Sequence, residues 1–251
     1  MLVSVSPAAL IRTLCLFGLS ENMVKKKERK IGECIYCGDI KPLSKDHVPP
    51  RGLFSKPWPN NLITVPSCDA CNGGSSKDDE YFRYIISMIE GTDTHPEALK
   101  VQEKLVSSAS KPNKFRFHMS ILSRVCFIEK TTPSGLYIGR RPSIIVDTNR
   151  IVNVVSRIIK GLFYYERRVR LPNSYKVIAI PAKYKELADP ALADIVSQSP
   201  KVIGKGVFSY RCHFQEHDPN ESGWLMFFYG GAPFLGATLS ITNTNDSARE
   251  A

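Results

Sequence analysis

Four cysteines stand in two pairs, Cys34-Ile35-Tyr36-Cys37 and Cys68-Asp69-Ala70-Cys71. Thiolates two residues apart can both reach one ion from a single turn, and two such pairs fill a tetrahedral zinc ion with no open position. The chemistry expected of them is structural: a Zn2+ that staples a segment too poor in core to hold itself. The 30 residues between Cys37 and Cys68 exceed the usual zinc-ribbon spacing, and they carry other chemistry. Lys45-Asp46-His47-Val48-Pro49-Pro50 sets a carboxylate beside an imidazole, Asn60 and Asn61 follow, and Asn72 comes directly after Cys71. Imidazole, with an ordinary pKa of about 6.5, is suited to accept a proton at neutral pH. The plain alternatives are chance pairs of buried thiols, a common acid–histidine dipeptide and, for Asn72, a helix-start cap.

Asp46-His47, Asn61 in Asn61-Leu62-Ile63-Thr64-Val65, and Asn72 with Lys77 after Cys68-x-x-Cys71 resemble the HNH (ββα-metal) nuclease family over about residues 33–91. The resemblance implies a metal-dependent endonuclease that hydrolyses phosphodiester bonds. Asp46 and Asn72 would hold a catalytic Mg2+ or Mn2+, with water and phosphate oxygens completing the shell. His47 would be the general base. Asn61 would orient the loop through a backbone carbonyl that fixes the imidazole tautomer, and Lys77 would contact phosphate near a helix start. The zinc would pin the loop holding His47 to the helix bearing Asn72. There are departures: Asn72 stands where histidine is frequent, Lys77 is more loosely spaced, Val48-Pro49-Pro50 is stiff, and Asn60 leaves the position of Asn61 uncertain by one.

The elements that must position these groups are partly readable. Residues 42–50 have short strand character, and Leu62-Ile63-Thr64-Val65 is β-branched and predicts a second strand. Ser76-x-x-Asp79 reads as a capping box, and Phe82, Ile85, Ile86 and Ile89 at three- and four-residue steps predict a helix to about Glu90, stopped by Gly91. Residues 97–108 are a second helical candidate. Ile151, Val154, Val155, Ile158 and Leu162 predict an amphipathic helix with Arg150, Arg157 and Lys160 on its polar face. Residues 175–180 alternate like a strand, and 207–214 and 224–229 flank a turn at Asp218-Pro219-Asn220. The fold class expected is α+β: a lead-in over 1–32, a zinc-stapled nuclease module over 33–91, a helical linker over 92–113 and an α+β domain over 114–251. Residues 1–22 read as an upstream extension, with Met23 a plausible start.

The chain has 251 residues and a net charge of +10, unevenly spread. Residues 120–180 hold 11 Lys/Arg against three acids, whereas 181–251 hold six against eight. A basic middle suits a polyanion, DNA ahead of RNA, with Arg167, Arg168 and Arg170 as candidate contacts; the bland alternative is a solvated face. A homodimer is a further expectation. Cysteines that bind metal rather than pair fit a reducing cytoplasm, and no apolar run is long enough for a membrane span. Cys212-His213 with His217 lacks further ligands for a second metal site, and His95 and His118 read as surface or packing residues. The rival functions are a non-catalytic zinc module that binds nucleic acid, and a scaffold whose C-terminal part does the work.

Overall fold

The computed structural model describes residues 29–241. Helix and strand are mixed, as the α+β expectation has it. The metal end comprises strands β1 (Ile31–Glu33), β2 (Ile40–Val48) and β3 (Ile63–Cys68), an antiparallel sheet in the order β1-β2-β3. Asp46 lies opposite Val65 and His47 opposite Thr64. A short helix, α1 (Asp69–Gly74), follows Cys68 and leads into α2 (Ser76–Ser87). The N-cap of α2 is Ser75, one residue before the expected capping box, and its hydroxyl donates to Asp79 Oδ2 at 3.0 Å instead of capping the backbone.

Helix α3 (Pro96–Ser108) opens at His95, whose ring nitrogen accepts from the Glu97 N–H. Helix α4 (Phe115–Leu122) and a two-stranded ribbon, β4 (Val125–Thr131) with β5 (Tyr137–Ile144), come next. This ribbon has no counterpart among the predicted elements. Helix α5 (Thr148–Arg167) buries Ile151, Val154, Val155, Ile158, Ile159, Leu162 and Phe163, as its periodicity predicts. It lies against a five-stranded antiparallel sheet of order β6-β10-β9-β8-β7: β6 (Tyr175–Pro181), β7 (Lys201–Ile203), β8 (Phe208–Phe214), β9 (Ser222–Phe228) and β10 (Ala232–Ser240). A short helix, α6 (Ala193–Val196), sits before β7.

The expected separation of a metal module from a C-terminal domain does not appear as a break in packing. The chain from Ile31 onward forms one compact unit. One core joins Ile35, Val48 and Phe82 from the metal end to Val154, Ile158, Phe208, Trp224 and Phe228. Close approach makes this possible: a Cβ on Gly161 of α5 would come within 2.5 Å of Val48, the residue after His47. Only a glycine lets the helix axis press so near β2, and the helix thereby carries its polar residues to that strand's end. Among the described residues no helix is long and apolar enough to cross a membrane. The proposed extension over residues 1–22 lies outside the described residues.

Candidate functional site

The four cysteines meet at one corner. Cys34 and Cys37 lie in the turn between β1 and β2, Cys68 ends β3, and Cys71 is in α1. Their sulfurs all lie within 4.8 Å of one another, with Cys37 and Cys68 Sγ 3.9 Å apart. A tetrahedral zinc with sulfurs at about 2.3 Å would set them about 3.8 Å apart, so the cluster fits a metal such as zinc. The thiols themselves ask for a cation. Burial would raise the Cys34 pKa, but backbone N–H groups of Cys37, Cys68 and Tyr36 outweigh it and bring it to about 6. Cys71 is pushed far up, by burial first and by the neighbouring thiols next. Crowded thiols resist joint ionisation, and a divalent ion removes that conflict. No second group of three or more Cys, His, Asp or Glu close enough to hold a metal occurs among the described residues, so Cys212, His213 and His217 form no such site.

Asp46 and His47 sit at the end of β2, beside a cleft of about 1050 Å³ that Asn72 and Asp79 also line. Asp46 Oδ2 accepts two hydrogen bonds, from Tyr36 Oη at 2.7 Å and from Arg157 Nη2 at 2.6 Å. Arg157 comes from α5, and its guanidinium also lies 4.7 Å from the Tyr36 ring centre. Burial would lower the Arg157 pKa, but the charges of Asp46, Tyr36 and Asp79 raise it on balance. The Tyr36 phenol is driven up by burial and then by Asp46. Asp79 is raised by burial first and by the Asp46 and Asp78 charges after the partial relief that Arg157 and Ser75 give it. Asp79 Oδ1 and Arg157 Nε are buried without a hydrogen-bond partner among the described residues. His47 is held below its ordinary value, by burial first and by the Arg51 charge second, against the pull of Asp46. Its neutral, proton-accepting form therefore prevails at neutral pH.

Asn72 donates through Nδ2 to Ser44 Oγ at 3.0 Å and to the Lys45 carbonyl at 3.4 Å, tying α1 to β2. The hydrogen bonds of Asp46 run through Oδ2 and those of Asn72 through Nδ2, and both residues line the cleft. A carboxylate and an amide offer hard oxygen donors of the kind that suit Mg2+ or Mn2+. The rest of the lining is largely basic: six Lys/Arg line the cleft against four acids. Lys114 and Arg83 pair with Glu80, and Lys100 with Glu97. Arg51, Lys56 and Lys104 have no carboxylate partner among the described residues.

Asp46, His47 and Asn72 are brought together, but the other sequence candidates are not. Asn61 does not line the cleft. Its Nδ2 donates to the Val202 carbonyl at 3.0 Å and its Oδ1 accepts from Gly204 N–H at 3.3 Å, so both ends of the amide are spent on β7 and the turn that follows it. Lys77 is exposed at the start of α2 and is not a cleft residue; its carbonyl accepts from Arg150. The arginine cluster is dispersed. Arg167 lies over the Phe214 ring, Arg168 is the left-handed residue that closes α5, and Arg170 pairs with Glu33 at 2.8 Å. Arg150 and Arg157, expected on the polar face of the helix, pair with Asp78 and Asp46. His95 caps α3, and His118 is buried against Ser108, both as packing residues. The groups that sequence reasoning missed are Tyr36, Asp79 and Arg157 around Asp46, and the cleft cations Arg51, Lys56 and Lys104. The one available signal was their type, and nothing in the spacing joined them.

Comparison with known proteins returns no matching family model, no matching curated protein and no matching solved structure.

Proposed function

We propose that this chain is a metal-dependent, HNH-type endonuclease acting on nucleic acid, DNA ahead of RNA, with His47 as general base. The observation that carries the proposal is a largely neutral imidazole lining a cleft with six Lys/Arg, together with the carboxylate of Asp46 and the amide of Asn72. Hydrolysis of a phosphodiester needs a deprotonated water in line with the departing oxygen. His47 takes the proton from that water as the new oxygen–phosphorus bond forms and the bond to the leaving oxygen breaks. Asp46 and Asn72 are the residues that would hold Mg2+ or Mn2+, which polarises the phosphate and stabilises the leaving oxygen. Arg157 and Tyr36 act through Asp46: by holding Oδ2 they fix the direction in which Oδ1 is presented. Arg51, Lys56 and Lys104 supply uncommitted positive charge for the backbone phosphates.

The four-cysteine corner takes no part in bond breaking. Its zinc would hold the turn before β2 against α1, and so hold His47 and Asn72 in a fixed relation.

The test is cleavage of supercoiled plasmid with and without added Mg2+ or Mn2+. Parent protein is expected to cleave only with added metal, and His47→Ala to lose about 10²- to 10⁴-fold in rate while keeping its fold and zinc. A His47→Ala protein that cleaves as fast as the parent sinks the assignment. The ion pair that already neutralises Asp46 favours one rival, a non-catalytic zinc module that binds nucleic acid. That rival predicts metal-independent binding with no cleavage under any condition.

A further inference from the structure

We infer that Trp58 is a stacking platform for an unpaired nucleobase, and that the strand entering the cleft is single-stranded or locally opened at that point. The inference rests on the nucleic-acid reading above and narrows its substrate. Trp58 is 40% exposed and lines both the main cleft and a second cavity of about 760 Å³. The Arg51 guanidinium lies 4.1 Å from the centre of its ring and the Lys56 ammonium 5.0 Å. Both cations lack a carboxylate partner among the described residues. A nucleotide can answer both parts of this group: its base can stack on indole surface that the cations leave open, and its phosphate supplies the anion the two cations lack.

A singly exposed aromatic is ordinary on a protein surface. What sets Trp58 apart is how firmly the chain around it is held. On one side Leu53 and Phe54 are buried, the Tyr229 hydroxyl donates to the Leu53 carbonyl at 2.9 Å, and Ser55 N–H donates to Glu97 Oε2 at 2.8 Å. On the other side Asn61 grips Val202 and Gly204. Gly204, at φ +63°, packs so closely that a Cβ there would meet Phe54 at 2.5 Å and Pro59 at 3.0 Å. Pro57 and Pro59 flank the tryptophan and restrict its backbone further. Two pinned ends thus present the indole outward, so its exposure is built in.

Arg51 also links the platform to the chemistry. The same guanidinium that lies over Trp58 lines the cleft together with His47. A base on Trp58 would have its phosphate beside Arg51, in the cleft that the imidazole also lines. That places the unpaired nucleotide at or adjacent to the bond to be cut. Duplex DNA, with its bases stacked inside, cannot reach the indole without opening.

The protein carries its own probe, because the only other tryptophan, Trp224, is fully buried. Parent protein without added Mg2+ or Mn2+ is titrated with oligo(dT), oligo(rU) and a blunt duplex, reading tryptophan fluorescence and anisotropy of labelled strands. Quenching by a single strand, weaker with duplex, is expected, and the tighter of the two oligomers names the sugar. Trp58→Ala should bind oligo(dT) roughly tenfold or more weakly, with Trp58→Phe restoring most of the affinity. If Trp58→Ala binds as tightly as the parent, or no strand alters the fluorescence, the platform is overturned even where plasmid cleavage depends on His47. If the parent neither binds nor cleaves any nucleic acid, the reading beneath it falls as well.

Discussion

The four-cysteine corner and the acid–histidine centre lie within one short stretch of chain but are assembled differently. The corner is self-sufficient: its four sulfurs come from residues 34–71, on a turn, a strand end and the helix that follows directly. The centre borrows. Asp46 is held by Tyr36 from the adjacent knuckle and by Arg157, 111 residues away on α5. The cleft that His47 lines also takes Lys100 and Lys104 from α3. A local site can survive as a unit, whereas a borrowed one depends on how the whole chain packs.

Removing one thiolate is the strongest way to probe the local half. Structural zinc in small modules contributes roughly 10–16 kcal/mol of apparent binding energy at neutral pH, so Cys68→Ser should cost zinc and melt the corner. Elemental analysis beside a thermal melt checks this, and a folded parent containing no zinc would refute it. The borrowed half is broken at Arg157. Arg157→Met leaves Asp46 and Tyr36 without their cation, next to Asp79, and should destabilise by about 3–5 kcal/mol. Combining it with Asp46→Asn should recover part of that loss in denaturant melts while zinc content stays level. An Arg157→Met protein as stable as the parent would mean that the pair is decorative and the two halves are less coupled than their geometry implies.

Asn61 sharpens the contrast. Its two hydrogen bonds to β7 and the turn after it are worth roughly 1–3 kcal/mol together. Asn61→Ala should lower the melting temperature and loosen the Trp58 loop with little direct effect on the bond-breaking step. Lost turnover at unchanged stability would restore the orienting role implied by the resemblance. The smallest effect concerns Glu97, which grips the same loop through Ser55. Burial would raise its pKa, but Lys100 and Ser55 outweigh that and hold it at about 2. A folded value below the unfolded one gives stability that is complete above the unfolded pKa, about 4.3, and fades as pH falls toward the folded value. The gap in melting temperature between parent and Glu97→Gln should therefore narrow between about pH 5 and pH 3. A gap constant with pH would show that Glu97 contributes by shape and not by charge.

The same contrast explains what could be read from the chain. Repeated ligand type at fixed spacing made the cysteines legible, and a 3.6-residue period made α2 and α5 legible. Strand β3 was announced by its β-branched residues, and runs to Cys68 where only Leu62–Val65 had been visible. Strand β10 was not, because Ala232, Gly236 and Ala237 carry little apolar pattern; Gly236 is small where Ile159 of α5 packs against it. Ribbon β4–β5 mixes exposed Phe127, Ile128 and Tyr137 with charges and follows no clean alternation. Residues 92–113 looked like a linker, yet α3 within them is a wall of the cleft. Arg157 was visible only as one polar position on an amphipathic helix. Its partner was fixed by helix packing across Gly161 and Val48, which no local pattern records.

The pairing of Arg157 with Asp46 also has a consequence in time. A ribosome adds roughly 5–20 residues each second, so the 111 residues between the two take on the order of 6–20 s to make. Throughout that interval the cysteines and Asp46-His47 are already present, while the counter-charge that orients Asp46 does not yet exist. The four-cysteine corner can therefore form long before Asp46 acquires its counter-charge, and the order of synthesis delays that pairing until most of the chain has emerged.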